Sequence, residues 1–326
     1  MKRLDEYWYN QNPVAWVLWP LSLVFCLIVS LRKFFYKINL FKTPAVPVPV
    51  VIVGNISVGG TGKTPLLIAL CKHLQALGFR PGIISRGYGG QATSWPQIVT
   101  SDSQPLLVGD EPVLISRRTD CPVVVGPDRI SDIEQLLSRN KCNIILSDDG
   151  LQHYRLDRDI EIAVIDAERL TGNGFCLPAG PLREPLRRLK TVDMVVYNGG
   201  SAQALTFSLE HGQLLSVSND AESLMLESLK NKSVHAIAGI GHPDRFFSLL
   251  ASYGLDIIKH RFPDHYSYTI DDLSFNDELP ILMTEKDAVK CKSFNITNSW
   301  YLPVSAVLSE ATKTKFNQLI KQVKNG

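Results

Sequence analysis

Residues 53–65 read VGNISVGGTGKTP, and no other stretch restricts the possible folds as much. Gly59, Gly60 and Gly62 let the backbone turn tightly enough for successive N–H groups to face inward on a phosphate. A helix that follows aims its positive end at the same point. Such a loop works only where it leaves a strand and enters a helix. Both neighbours are present: Pro49–Val53 is a continuous apolar run, and TPLLIALCKHLQALG has apolar residues at helical spacing up to Gly78. The pattern GxxxxGKS/T asks for glycine at position 57, where Ser57 stands. The context repairs that departure. Ser57, Val58, Gly59, Gly60, Thr61, Gly62, Lys63 and Thr64 are expected to cradle ATP phosphates, with Lys63 reaching the β and γ groups and the Thr64 hydroxyl on Mg2+. Pro65 is acceptable because the first helical turn needs no N–H there.

The remaining pattern is α/β. Strand-like runs recur at 81–85, 122–126, 143–149, 160–166 and 193–198, apolar throughout rather than alternating, with helical stretches such as DRISDIEQLLSRN between some of them. That combination predicts a parallel sheet covered on both faces, a P-loop NTPase-type domain over 38–200. Residues 206–218, TFSLEHGQLLSVS, alternate instead, and His211-Gly212 offers a turn. They are read as a β-hairpin linker (201–218) leading into a smaller α/β domain over 219–326.

The run NIILSDDG supplies the acid that a P-loop needs. An apolar strand delivering Asp148 and Asp149 at its carboxyl end is the Walker B arrangement, and in an open parallel sheet the ligand crevice lies outside those ends. A guanine-specific switch is excluded, because Thr284-Glu285-Lys286-Asp287 has its lysine directly before the aspartate. A net charge of +2 gives no general basic field for nucleic acid. Six scattered cysteines without a CxxC pair argue against disulfides or zinc. No obligatory protein partner is implied.

The N-terminal segment 1–37 stands apart. Val14 to Leu31 is almost wholly apolar, and as a helix of that length it spans roughly 27 Å, just short of a ~30 Å hydrocarbon core. Trp and Tyr residues precede and enter it, and Arg32, Lys33 and Lys37 follow. The absence of a small-residue cleavage site argues against a signal peptide. The expectation is a membrane-anchoring helix, with Pro20 favouring a kinked or shallow insertion; a buried core helix is the alternative.

The strings VGNISVGGTGKTP, SRGYGG, GDEP, GPDR, SDDGLQH, GNGFCLPAGPLREP, AGIGHPDRFF, FPDHY and MTEKDAV occur in order along most of the chain. In them the sequence resembles the tetraacyldisaccharide 4'-kinase (lipid A 4'-kinase) family of Gram-negative bacteria, in which a non-standard first P-loop position is itself part of the pattern. The resemblance implies phosphorylation of the 4'-hydroxyl of a tetraacyldisaccharide 1-phosphate to lipid IVA. It also implies a site on the cytoplasmic face of the inner membrane. It gives Lys63 and Thr64 roles on the phosphates and Mg2+, with Thr61 beside them and Asp148 and Asp149 on the metal side. Asp110 and His265 would form a catalytic pair, and Arg129, Arg183 and Glu184 would surround the acceptor and the transferring phosphate. Asp149 is a rival base. The MTEKDAV string has no mechanism at this level, and Arg187, Arg188 and Lys190 read as a solvated helical face.

Overall fold

The computed structural model describes residues 7–10, 12–200 and 205–325. Residues 1–6 and Gln11 of the anchoring segment, residues 201–204 of the expected linker and Gly326 lie outside them. After α1 (Pro13–Lys37), the chain forms β1 (Val50–Gly54), the glycine loop, α2 (Lys63–Ala76), β2 (Pro81–Ser85) and a short β3 (Gln97–Val99). There follow α3 (Pro105–Val108), α4 (Asp110–Thr119), β4 (Val123–Val125), α5 (Arg129–Arg139), β5 (Ile144–Asp148), β6 (Ile160–Asp166), β7 (Met194–Asn198) and β8 (Thr206–His211).

Alternate residues of β1 explain why two layers of helices are needed. Val51 and Val53 pack into one core with Leu66, Leu70 and Leu74 of α2 and Val113 and Ile115 of α4. Val50 and Ile52 pack into the other with Ile133 and Leu136 of α5. All five residues of β1 are buried, and each buried Val or Ile contributes about 1.5–3 kcal/mol of transfer free energy. Strand β1 runs parallel to β5 on one side and β6 on the other, and its register sets Val53 opposite Asp148. The loop and the acidic strand end are thereby neighbours.

The second sheet comprises β9 (Leu214–Ser216), β10 (Ser223–Leu224), β11 (Ser233–Ala238), β12 (Asp256–Arg261), β13 (Ile281–Thr284) and β14 (Ser299–Leu302), with α6 (Pro243–Ser252) and α7 (Glu285–Cys291) between strands. The chain then returns. Strand β15 (Val304–Leu308) closes the edge of the first, nine-stranded sheet against β8, and the last helix α8 (Glu310–Asn325) buries Phe316, Leu319 and Ile320 in the α2 side of its core.

This corrects the expected hairpin. Strand β8 pairs with β15, whereas β9 pairs with β14 and β10, so 206–216 and 299–308 form a two-stranded ribbon from one sheet to the other. The alternation was a true strand signal. The turn was not: Gly212 is absent from the glycines with positive φ, and its N–H continues the ribbon by donating to the Pro303 carbonyl at 3.0 Å. The 219–326 boundary shifts with it, since 304–325 packs with the first sheet.

Helix α1 is not a core helix. Of its 25 residues only Ala15 and Ser22 are buried, and its most apolar window has mean hydropathy 2.4. One face docks on the 172–180 loop: the Ser22 hydroxyl donates to the Cys176 carbonyl (2.7 Å) and accepts from the Ala179 N–H (3.0 Å). Trp16 meets Phe175 edge-on. The opposite face leaves Val17, Leu23, Val24, Leu27, Ile28 and Leu31 exposed. The helix runs through Pro20 without a break.

Candidate active site

The glycine loop owes its shape to two left-handed positions, Gly59 (φ 108°) and Gly62 (φ 89°). At Gly62 a Cβ would also come within 2.8 Å of the Asn198 amide nitrogen, so glycine is required twice over. Ser57 needs no such freedom. It bridges Leu182 in antiparallel fashion, and the Val58 N–H donates to the Pro181 carbonyl at 2.8 Å. The PLREP segment thus pairs with the first loop position, whose φ is not positive and so does not call for glycine. Asn55 and Asn198 orient Thr61, the first donating to its hydroxyl and the second to its carbonyl, each at 3.3 Å.

At the end of β5 the two aspartates differ. Asp148 is buried, accepts from the Ser85 hydroxyl at 3.3 Å and leaves Oδ1 without a partner. Burial first, then the negative charges of Glu111 and Asp149, push its carboxyl up to about 7. Asp149, held at φ 47°, is opposed by burial too, but Lys63 (3.7 Å) and Arg183 (2.8 Å) outweigh it and lower its pKa. Two buried carboxylate oxygens without hydrogen-bond partners, Asp148 Oδ1 and Asp149 Oδ1, are hard oxygen donors. They suit a Mg2+ that completes its shell with water and phosphate oxygens.

Asp110 opens α4 immediately after Gly109, whose φ of 93° and closeness to the Tyr88 carbonyl admit no side chain. His265, although 155 residues away in sequence, brings Nδ1 within 3.1 and 3.2 Å of the two Asp110 oxygens. It sits at φ 59°, a left-handed conformation costly for a histidine, with the Tyr88 ring 4.9 Å away. Burial disfavours charge on both partners. The His265 hydrogen bond and the Lys286 charge nevertheless lower the Asp110 pKa, and the Asp110 hydrogen bond and charge raise that of His265. A cavity of about 660 Å³ opens beside the pair, lined in part by Tyr88, Leu106, Tyr268 and Phe294.

The family model of the tetraacyldisaccharide-1-P 4'-kinases matches residues 14–324. This chain belongs to that family. It is 50% identical over 320 residues to the tetraacyldisaccharide 4'-kinase of Nitrosococcus oceani, covering 97% of this chain and 94% of that protein. It is 47% identical over 335 residues to that of Hahella chejuensis, covering 99% of each. Among solved structures it matches one described as the "apo" form of LpxK from Aquifex aeolicus in complex with ATP, with a TM-score of 0.78 and 30% identity over 95% of this chain and 99% of that one.

The other residues singled out for this kinase family divide. Arg183 reaches Asp149, as above. Arg129 is 2% exposed and gives one guanidinium nitrogen to the carbonyls of Ser85 (2.8 Å) and Gly126 (2.6 Å), so it ties together the carboxyl ends of β2 and β4 beneath the site. Glu184 is 1% exposed and accepts from Gln152 at 2.7 Å and from the Tyr154 hydroxyl. It therefore fixes the loop after Asp149 rather than facing an acceptor. Arg188 corrects the reading of a solvated face: it is buried against Glu161 and Glu184. Arg187 reaches the Ser30 hydroxyl of α1. Asp166 closes β6 by pairing with Arg245 of the second sheet's α6 at 2.7 Å.

Sequence reading missed Asn55, Asn198, Glu111 and Lys286. Lys286 was in plain view within MTEKDAV, and the structure gives that string a place. Thr284 caps α7 by accepting from the Asp287 N–H, and Asp287, fully buried, accepts from the Gly239 N–H and the Tyr268 hydroxyl. Lys286 turns the other way, toward Asp110.

Proposed function

We propose that this chain is an ATP-dependent kinase of lipid A biosynthesis that transfers the γ-phosphate to the 4'-hydroxyl of a tetraacyldisaccharide 1-phosphate, giving lipid IVA. The observation that carries the reading is the Asp110–His265 hydrogen bond, a carboxylate–histidine pair whose neighbour Glu111 acts electrostatically on Asp148 at the end of the strand beside the P-loop. Asp110 takes the hydroxyl proton as the bond to phosphorus develops. His265 orients the carboxylate and stabilises its charge. Asp149 is the less suitable base, because Arg183 and Lys63 already engage its oxygens.

Lys63 and the inward N–H groups of the loop hold the phosphates and offset charge on the transferring group. Thr64, Asp148 and Asp149 would hold Mg2+, which would supply positive charge to offset that of the phosphates. Arg183 keeps Asp149 ionised for that task. The exposed apolar face of α1, with the basic residues Arg32, Lys33 and Lys37 after it, anchors the chain at the cytoplasmic face of the bacterial inner membrane, where the acylated acceptor lies.

The test is ADP formation with and without the acceptor. Turnover that depends on tetraacyldisaccharide 1-phosphate, one ADP per lipid phosphorylated, supports the reading. Brisk ATP hydrolysis indifferent to the lipid would instead mark an ATPase switch and overturn it.

A further inference from the structure

We propose that Lys286 is a positioning residue of the phosphotransfer site, an ammonium clamp that joins the carboxylates of α4 to the His265 loop and fixes which ring nitrogen of His265 faces Asp110. The inference rests on the Asp110–His265 pair being the catalytic one. Its geometry is independent of that assumption. The Lys286 Nζ lies 3.0 Å from Glu111, 3.1 Å from Asp264, 3.9 Å from Asp110 Oδ2 and 3.5 Å from His265 Nε2. Asp110 and Glu111 are the first two residues of α4, packed on the first sheet. Asp264 and His265 follow β12 of the second sheet, and Lys286 is the second residue of α7 after β13. One cation therefore gathers groups from both bodies.

Burying an ammonium costs several kcal/mol unless it is paired. Lys286 is only 15% exposed along its side chain, yet burial is outweighed by Glu111, Asp110 and Asp264, which drive its pKa upward. It stays charged, and a charged ammonium has only donors. Next to it, at 3.5 Å, Nε2 of the neutral His265 ring is the bare, accepting nitrogen, so in that state the ring proton sits on Nδ1 and is donated to Asp110. That is the tautomer the proposed base requires. Without the ammonium the ring loses the constraint on its proton, and the left-handed His265 loop loses its tie to α4.

The experiment compares Lys286→Met, Lys286→Arg, His265→Ala and the Lys286→Met/His265→Ala double variant in the full-length enzyme, each checked by thermal melting. For Lys286→Met, kcat should fall about 10- to 100-fold, the scale of a small misplacement of a reacting group, while KM for ATP stays within about threefold. Lys286→Arg should regain at least part of the loss, because the charge is restored. The double variant should be no slower than the worse single one. In wild type at pH 8.5, histidine 15N shifts should report a protonated Nδ1 and a bare Nε2 for His265, with the opposite tautomer rising in Lys286→Met. Should Lys286→Met fail to fold, Asp264→Asn removes one partner at a more exposed position and is read by the same tautomer populations; unchanged populations would then overturn the clamp. A Lys286→Met enzyme with kcat within twofold of wild type, while His265→Ala is crippled, overturns the inference and leaves the catalytic pair standing. If His265→Ala itself retains full kcat, the pair fails first.

Discussion

The donor half and the acceptor half of the site are built on different principles. The donor half, loop 57–64 with Asp148 and Asp149, comes from one sheet, and its parts are locked by adjacent strands in register. The acceptor half, Asp110 with His265, is assembled from four separate strings, GDEP, SRGYGG, FPDHY and MTEKDAV, carried by two sheets. A site of the first kind is preformed as soon as its domain folds. The second exists only when the two bodies are engaged, since Asp110 and His265 are carried by different sheets.

That contrast can be broken most forcefully at Lys63. Lys63→Ala should lower kcat by about 10³- to 10⁵-fold, the range seen when a cation is taken from a transferring phosphoryl group. Nucleotide binding measured by calorimetry should weaken as well, since the loop also loses its contact to Asp149. Near-normal rates would mean that the loop is not the donor site. The next effect belongs to the other half. Asp110→Asn should cost about 10²- to 10⁴-fold in kcat through loss of the general base, with ATP affinity unchanged because no part of the donor half is touched. If Asp110→Asn weakened ATP binding as much as catalysis, the two halves would not be separable in the way proposed.

The same contrast decides what was legible in the sequence. The α/β pattern, the glycine loop and the Asp148–Asp149 strand end could all be read, because each depends on residues next to one another in the chain. Ser57 was readable only in part: its tolerance comes from the bridge to Leu182, a contact invisible to a local pattern. The hairpin failed for the same reason. Alternation over 206–218 announces strands but not their partners, and the partners lie at 299–308. Arg129 and Glu184 were expected around the acceptor and the transferring phosphate as members of matched strings. Their burial against carbonyls and against Gln152 and Tyr154 could not be seen without the fold.

A smaller effect tests the anchoring face. Ser22→Ala removes the hydroxyl that accepts from the Ala179 N–H and donates to the Cys176 carbonyl; the carbonyl keeps the Gly180 N–H at 3.0 Å, so one buried backbone group, the Ala179 N–H, is left unpaired at about 1–3 kcal/mol before relaxation. The expected result is a loosened α1, detected as faster proteolysis between residues 13 and 37 and weaker vesicle binding, with ATP binding unaltered. Unchanged proteolysis would show that apolar packing alone seats the helix.

The smallest effect is a pH dependence of the contact that joins the halves. The raised pKa of His265 means its share of the stabilisation is full below the unfolded value of about 6.5 and is lost as pH rises through the raised value. The lowered pKa of Asp110 gives a share present above its unfolded value of about 3.9 and lost as pH falls through the depressed one. Both conditions hold together between about pH 4 and 6.5. The melting temperature of wild type should exceed that of His265→Ala by the most in that window, on the order of 1–2 °C because the ring is partly solvated, and the gap should narrow above neutrality. An equal gap at pH 5.5 and pH 8.5 would mean that the contact is made by the neutral ring throughout. The Lys286 ammonium, which opposes charge on His265, would then dominate Asp110 in setting its state.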